Sequence, residues 1–506
     1  MNARRWGAWF VLALFAAYAG WRIAVADPTS AAGVAVLLVD LLGAALSAMV
    51  LAVLARPTVL PPTAGGFTGT VDVFIPTLNE PLDVLEPTVL GALGVRGVGI
   101  VHVLDDGGRD EVAAMADRLG AAYHRRSGSE HAKAGNLNAA LPGTDADLIL
   151  ILDADQIPVP EILERLTPAF ADPLMALVQT PQGFYNTESL AYRRDEPIGE
   201  QDIFYYCLEP AKNADNSAFW IGSGGVLRRQ AVVAIGGFAT GSVTEDIHTT
   251  MRLHARGWRT AFLPRAYSFG LEAGNLREFH RQRRRWAAGN LHILLRSADS
   301  PFRLRGLRPV QRLHYVAALA GHLQGPQRLA LIGALMLLAV TGTSPVTVDF
   351  RWYAAVTLLL AAAVAVATRA LSGGRYHPVH SETHVVSAML PQVAGLGAAL
   401  AGDRRFSASR KTVNRSAGEP LKRLYQAIAL AMVCSLAALA FGSLNVVRVW
   451  SGLMLAAHLV IVLLFLRHVR RFERTDQALP YAELDPPSLY AYVCQRFGTR
   501  SPLPVP

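Results

Sequence analysis

Five short polar signatures separated by apolar stretches carry the residue types that chemistry on a nucleotide needs. They are Asp105-Asp106-Gly107-Gly108, His131-Ala132-Lys133-Ala134-Gly135-Asn136, Asp153-Ala154-Asp155, Thr244-Glu245-Asp246 and Gln282-Arg283-Arg284-Arg285-Trp286. Asp153 and Asp155 follow the apolar run Leu148 to Leu152, and residues two apart in an extended chain share a face. Two such carboxylates can hold Mg2+ (or Mn2+) together with diphosphate oxygens, because the ion takes hard oxygen ligands and leaves part of its shell to substrate. A lone Asp-x-Asp is more often a solvated acidic turn; the preceding strand and the other signatures reverse that here. Asp105-Asp106 also ends an apolar run. Asp-Gly is first a turn former, and its functional reading puts Asp106, with Asp105 beside it, where a carboxylate accepts hydrogen bonds from a base or ribose. Lys133, among small neighbours, suits a diphosphate.

Thr244-Glu245-Asp246 opens an amphipathic run, Ile247 to Gly257. Threonine followed by acidic residues is a helix N-cap pattern. Such a cap would fix Asp246, and a fixed carboxylate can take the proton of an attacking hydroxyl. Gln282, Arg285 and Trp286 add a cation for a diphosphate leaving group and an aromatic face for a sugar ring. A purely electrostatic membrane-facing helix would need neither the glutamine nor the tryptophan.

The elements that position these residues follow from composition. With 52% hydrophobic residues among 506 and a mean hydropathy of +0.27, the chain is high in apolar content for a soluble protein. Trp6 to Ala26 and Ala31 to Ala55 are each long enough to cross a hydrocarbon core of about 30 Å. Neither ends near a small-residue cleavage pattern, so residues 1–60 read as a retained hairpin rather than a signal peptide. Arginines gather beside the apolar segments, at Arg4 and Arg5, at Arg303 to Arg312, at Arg404 to Lys411 and at Arg467 to Arg474. That is the positive-inside pattern, so the net charge of +9 is not a nucleic-acid footprint. The cysteines Cys207, Cys434 and Cys494 have neither disulfide nor zinc spacing. Asp40 inside the second span is costly in lipid and should face other helices or a wet path.

Residues 66–300 alternate between β-rich runs (Val71 to Pro76, Ile100 to Leu104, Leu148 to Leu152) and helical stretches (Glu111 to Leu119, Pro160 to Phe170). Continuous apolar runs of this length mark buried parallel strands, and ligands of open α/β sheets sit at the strands' carboxyl ends. Residues 301–323 read as an interfacial helix, with a break at Gln324 to Arg328. Spans are expected from Leu329 to Gly342, Arg351 to Leu371, Leu424 to Gly442 and Val446 to Leu466, within a region of residues 324–467. Val385 to Ala401 has basic flanks on both sides and reads as interfacial or re-entrant. Residues 468–506 form a cytosolic tail. The expectation is a cytosolic α/β domain inserted into an α-helical multi-pass membrane domain of about six spans, with both termini inside.

These signatures resemble the processive family 2 glycosyltransferases of the cellulose synthase type, from about Val73 to Asn414. Val73 to Pro81, with Thr77, Asn79 and Glu80, matches the family's opening nucleotide-site strand, and His131 to Asn138 its His-Ala-Lys-Ala-Gly-Asn run. Phe219 to Gly224, with Gly222 and Ser223, resembles the loop that lines the acceptor site, with Ile221 replacing a cysteine. The resemblance implies a GT-A fold, a UDP-sugar donor (UDP-glucose favoured), magnesium, inversion to a β-linkage, and a growing polysaccharide exported through the bacterial inner membrane. It makes Asp246 the general base, Asp153 and Asp155 the holders of UDP and metal, and Trp286 the acceptor platform. Phe406 to Lys411, within 403–414, resembles the family's gating loop. Ser409 keeps the hydroxyl and Lys411 the cation, while Ala408, Ser409 and Thr412 depart from the pattern. About forty residues after the last span are too few for a PilZ barrel, so direct cyclic di-GMP control is not expected, whereas an accessory export subunit is compatible. Alternatives are a non-processive transferase acting on a lipid-linked acceptor, a hyaluronan- or chitin-type synthase using UDP-N-acetylglucosamine, and a non-catalytic membrane subunit.

Overall fold

The computed structural model describes residues 3–126, 128–186, 189–191, 199–402, 418–441, 443–473 and 484–498, with side chains from residue 9 onward. Ten strands are described: β1 (Val71–Thr77), β2 (Val101–Asp105), β3 (Ala122–Arg125), β4 (Leu148–Ile151), β5 (Ile157–Pro158), β6 (Met175–Gln179), β7 (Gln182–Phe184), β8 (Gly225–Arg228), β9 (Arg259–Phe262) and β10 (Ser268–Gly270). A seven-stranded sheet runs in the order β3-β2-β1-β4-β8-β6-β9, and β5-β10-β7 form a smaller one. In the first, β1 pairs in parallel with both β2 and β4, and β8 is antiparallel to both β4 and β6.

The large sheet is buried on both faces, which is why its strands read as unbroken apolar runs. Val73, Ile75, Val103, Leu148 and Leu150 enter one core, and Phe74, Leu104, Ile149 and Ile151 enter the other. That alternation follows the two-residue period of a strand. The register sets Thr77 beside Asp105 and Phe74 beside Ile151, so the polar residues after β1, β2 and β4 emerge at one edge.

The helices are α1 (Ala3–Val25), α2 (Ala31–Leu54), α3 (Leu82–Leu93), α4 (Asp110–Leu119), α5 (Ala132–Ala140), α6 (Ile162–Leu166), α7 (Glu209–Lys212), α8 (Arg229–Ala234), α9 (Glu245–Ala255) and α10 (Leu276–Leu295). There follow α11 (Pro309–Ala320), α12 (Gln324–Thr341), α13 (Phe350–Leu371), α14 (Pro378–Ala401), α15 (Glu419–Ala437), α16 (Val446–Glu473) and α17 (Pro486–Phe497). Among the described residues six helices are long and apolar enough to cross a membrane: Ala31–Leu54, Pro309–Thr341, Phe350–Leu371, Pro378–Ala401, Glu419–Ala440 and Val446–Glu473. The α/β domain therefore stands between blocks of membrane-type helices, as its sequence pattern implies. The first expected span falls in α1, which is not among these six: its apolar stretch among the residues with described side chains, Trp9–Val25, is shorter.

Two expectations about boundaries change. Gln324 to Arg328 is not a break but the start of α12; the interruption is the single 3-10 turn Gly321–Leu323 just before it. Pro326 is tolerated because the first N–H groups of a helix have no intrahelical partner to lose. The expected interfacial segment Val385 to Ala401 belongs to a longer helix, α14, whose 24 residues also suffice to span.

Candidate active site

β4 is followed by Leu152-Asp153, and the Asp153 backbone N–H donates to Ser223 Oγ (2.8 Å). Ser223 is wholly buried, and its carbonyl accepts from Gln179 Nε2 (2.8 Å) while Gln179 Oε1 accepts from the Ile221 N–H (3.2 Å). The loop expected to line the acceptor site is thus pinned to both β4 and the end of β6. Gly222 in that loop has φ +95, a conformation that disfavours any side chain. Its carbonyl accepts from Lys133 Nζ (2.7 Å), and a Cβ there would lie 3.3 Å from Asp246 Oδ2 and 3.7 Å from Lys133 Nζ. Lys133, which enters from the first turn of α5, also donates to Asp153 Oδ1. Lys133, Asp153, Gly222 and Asp246 therefore share one site, although the sequence separates them by as much as 113 positions, the difference between 246 and 133.

Burial followed by the neighbouring Glu245 charge pushes the Asp246 carboxyl up to about 7, against weaker opposing pulls from the Ile247 N–H, Lys133 and Arg285. A carboxylate tuned near neutrality is the form a general base takes. Burial alone would lower the Lys133 ammonium, but Asp153, Glu245 and Asp246 hold it above its ordinary value. The site therefore keeps a permanent cation beside a carboxylate that can exchange its proton.

Thr244 occupies the N-cap position of α9 without capping it. Its hydroxyl lies 3.1 Å from Ser242 Oγ, and the Ile247 N–H goes to Asp246 Oδ1 (2.8 Å). The expectation that Thr244 caps the helix is corrected: the Asp246 side chain takes up one N–H of the first turn, that of Ile247. Asp246 is held further by Thr250 Oγ1, which donates to its carbonyl (2.9 Å) and accepts from the Trp220 N–H (3.1 Å). α10 reaches the same loop through Gly289, where a Cβ would come within 2.6 Å of Thr244 Oγ1.

The other carboxylates differ. Asp155 is buried and its Oδ2 accepts from the Leu271 N–H (3.1 Å) at the end of β10. Asp105 is fully buried and spent on its own loop, accepting from the Gly107 and Arg109 N–H groups (2.9 and 2.7 Å), the Arg109 guanidinium and Tyr123 Oη (3.1 Å). In this structure Asp105 braces its own loop, and a nucleoside contact there would share a carboxylate that these donors already engage. Asp106 forms a two-point pair with Arg126 (2.8 and 2.7 Å). Thr77 donates to Glu80 Oε2 (2.8 Å), which also accepts from the Leu78 and Asn79 N–H groups (2.8 and 3.2 Å), and Arg109 ties this turn to Asp105. Asn79 is exposed at the edge of the turn.

On α10, which Asn275 caps by accepting from the Glu278 N–H (2.9 Å), Gln282 Oε1 accepts from Arg283. The charge of Arg285 reaches Asp246. Trp286, Thr244 and Asp246 line one cavity of about 830 Å3, which continues past Phe219 and Asn290 to Asp40, Gln327, Tyr353 and Trp450 on the membrane-type helices. The expectation for Asp40 is met in part: Arg22 Nε and Tyr353 Oη donate to it (2.9 and 3.0 Å) beside that cavity. Ser409, Lys411 and the loop 403–414 lie outside the described residues.

Sequence reasoning missed Arg109, Arg126, Gln179, Arg283 and Gly289. Arg126 follows β3 directly and Gln179 closes an apolar strand, and strand-end position is the one signal that could have found them. Among the described residues, no cluster of three His, Cys, Asp or Glu side chains forms a metal cage. A metal here would draw part of its shell from substrate, as magnesium at diphosphates does.

Residues 148–368 match the family model for glycosyl transferase family group 2. Cellulose synthase 1 of Komagataeibacter xylinus is 41% identical over 288 residues, covering 55% of this chain and 18% of that protein. The UDP-forming cellulose synthase catalytic subunit of Xanthomonas axonopodis pv. citri is 37% identical over 334 residues, 63% of this chain and 46% of that one. The chain thus spans less than half the length of these curated relatives. A mannosyltransferase from Pyrobaculum calidifontis, solved with GDP-Man and Mn2+, aligns with a TM-score of 0.47 at 21% identity, over 70% of this chain and 97% of that one. Over residues 148–368 the chain is thus similar to the family 2 glycosyltransferases, and over 55–63% of its length to bacterial cellulose synthases; the stretch matched by the family model holds Asp153, Gly222, Asp246 and Trp286 and runs on into the membrane-type helices that follow.

Proposed function

We propose that the protein is a membrane-embedded, processive, inverting glycosyltransferase that polymerises a β-linked glycan from a UDP-sugar, with UDP-glucose favoured, and exports it. The observation that carries this reading is the continuous cavity: it starts at Asp246 and Trp286 and runs along helices long and apolar enough to span a bilayer. A polymer growing away from the acceptor side of the site would follow such a path. The α/β domain then faces the cytosol of a bacterial inner membrane, where UDP-sugars are available, and a periplasmic export subunit would meet the far end.

In the reaction, the acceptor's terminal hydroxyl loses its proton to the Asp246 carboxylate as its oxygen bonds to the anomeric carbon. The bond from that carbon to the diphosphate breaks on the opposite side, and its electron pair leaves with UDP, which inverts the configuration. Lys133, fixed between Asp153 and the Gly222 carbonyl, supplies positive charge where the leaving diphosphate gains negative charge. Arg285, whose charge also acts on Asp246, adds a second cation. Asp153 and Asp155 fit a divalent cation: Asp153 is 38% exposed toward the site, and both offer hard oxygens. Such an ion, Mg2+ or Mn2+, would act as a Lewis acid on the diphosphate. Asp106 and the Thr77–Glu80 turn form the nucleoside side of the pocket.

Membranes containing the protein, incubated with labelled UDP-glucose or UDP-N-acetylglucosamine and Mg2+, test this reading. A long product from one donor, digestible by an endo-β-glycanase, is expected. Label found solely as a single sugar in the lipid extract would replace processive synthesis with lipid-carrier loading.

A further inference from the structure

Arg283 lies between the residues of α10 that are assigned to the site, yet its side chain is only 5% exposed and carries a full charge. It pairs with Glu200 and, at 3.4 Å, with Glu272, which is itself buried. Its guanidinium carbon stands 4.4 Å from the centre of the Trp286 ring and 4.5 Å from that of Phe279. A cation at this distance over an indole face is attracted by the ring's quadrupole. Two carboxylates and two rings therefore leave the guanidinium a single geometry, since a buried charge deprived of its partners is costly.

An indole has two faces. One face of Trp286 is covered by Arg283, and Trp286, Arg283 and Glu200 all line the cavity that reaches Asp246. We infer that Arg283 is a positioning residue: it backs Trp286 so that a sugar ring of the acceptor stacks on the opposite face. This rests on the polymerase reading above. It also ties the acceptor platform to the donor side of the site. Glu272 is locked by Asn186, which accepts from its N–H (2.8 Å) and donates to its carbonyl (3.0 Å). The residue before it, Leu271, donates its N–H to Asp155. Asp155 is thus linked to Trp286 through Leu271, Glu272 and Arg283 by one hydrogen bond, one peptide link, one ion pair and one cation–π contact. Lysine could keep the charge but not the flat face that lies on the indole.

The test uses the full-length protein in detergent, titrated separately with UDP and with a soluble β-glucan oligosaccharide, and assayed for product length with UDP-glucose and Mg2+. For Arg283→Met, oligosaccharide affinity should fall roughly tenfold or more and the product should shorten, with UDP affinity within a few-fold of the parent. Arg283→Lys should fall between the two, which a purely electrostatic role would not produce. Trp286→Ala serves as the benchmark for a lost platform. Unchanged oligosaccharide affinity and product length in Arg283→Met overturn the inference, as does a parallel loss of UDP affinity. If Arg283→Met does not fold, parent-like values for Arg283→Lys overturn it instead. A parent that makes no polymer and binds no oligosaccharide overturns the polymerase reading itself, a result visible before any variant is compared.

Discussion

At the end of β2, Asp105 is completely buried and its carboxylate is taken up by two backbone N–H groups, a guanidinium and a phenol. At the end of β4, across β1 in the same sheet, Asp153 is 38% exposed and meets the Lys133 ammonium beside a glycine that leaves the space open. Both follow apolar strands and both open acidic turns. The difference lies in exposure. A fully enclosed carboxylate that accepts from its own loop stiffens that loop and is closed to a ligand. One that keeps an exposed edge can still meet a substrate or a metal. Asp246 extends the second type: it is short of hydrogen-bond donors and pushed up to about 7.

The largest expected effect tests that extension. Asp246→Asn keeps the shape and the Ile247 N–H contact but removes the base, so polymer synthesis should fall by about 10²–10⁴-fold. UDP affinity should stay near the parent value. Near-normal synthesis would assign Asp246 to the helix start and place the base elsewhere.

The comparison itself is tested by a matched pair of variants. Asp153→Asn should lose most turnover and its response to Mg2+ while keeping its melting temperature, as should Asp155→Asn. Asp105→Asn should do the reverse, because an amide cannot accept from all four donors and leaves buried groups unpaired, at about 1–3 kcal/mol each. A lower melting temperature with residual activity per folded molecule is the expected signature. If Asp105→Asn stayed fully stable and lost UDP binding, the brace would turn out to be a ligand contact after all.

That distinction could not be read along the chain. Continuous apolar runs such as Leu148 to Leu152 reveal buried parallel strands, and acidic residues just after them reveal the site edge, so the sheet and the Asp153 side were legible. Which acidic residues are consumed internally depends on partners from other elements. Tyr123 reaches Asp105 because β3 pairs with β2, and Arg126 reaches Asp106 from just beyond the same strand. Arg283 was hidden for another reason: in a run of three arginines, sequence does not say which one turns inward. Thr244 misled because a Thr-Glu-Asp run satisfies the N-cap pattern whether or not the hydroxyl rotates to cap, and here Ser242 engages it. The break assigned to Gln324–Arg328 failed because proline stops a helix in its interior but not in its first turn.

A smaller effect concerns pH and rate. Asp246 must be ionised to act as the base, so synthesis at saturating donor should rise about tenfold per pH unit below about 7 and level off above it. Lys133 is held above its ordinary value by the neighbouring carboxylates, so its loss of charge should not curtail the plateau at mildly alkaline pH. A rising limb centred near the ordinary aspartate value of 3.8 would show that Asp246 is not the group being titrated.

The smallest effect concerns stability, and its sign separates the two kinds of carboxylate. The Asp246 carboxyl titrates at about 7 in the folded protein against an ordinary 3.8, so between those values the folded state binds more protons than the unfolded one. Stability contributed by the protonated form is then fully present below about pH 4 and is lost as pH rises through about 7. Asp246→Asn cannot ionise and escapes that loss. The melting temperature of the Asn variant minus that of the parent should therefore grow from pH 4 to pH 7 and remain constant above. At Asp105 the same substitution should lower the melting temperature, because there the folded protein supplies donors that stabilise the charge. A pH-independent difference for Asp246→Asn would mean that water or a neighbouring group already solvates Asp246, and the contrast between the two strand ends would narrow to one of exposure alone.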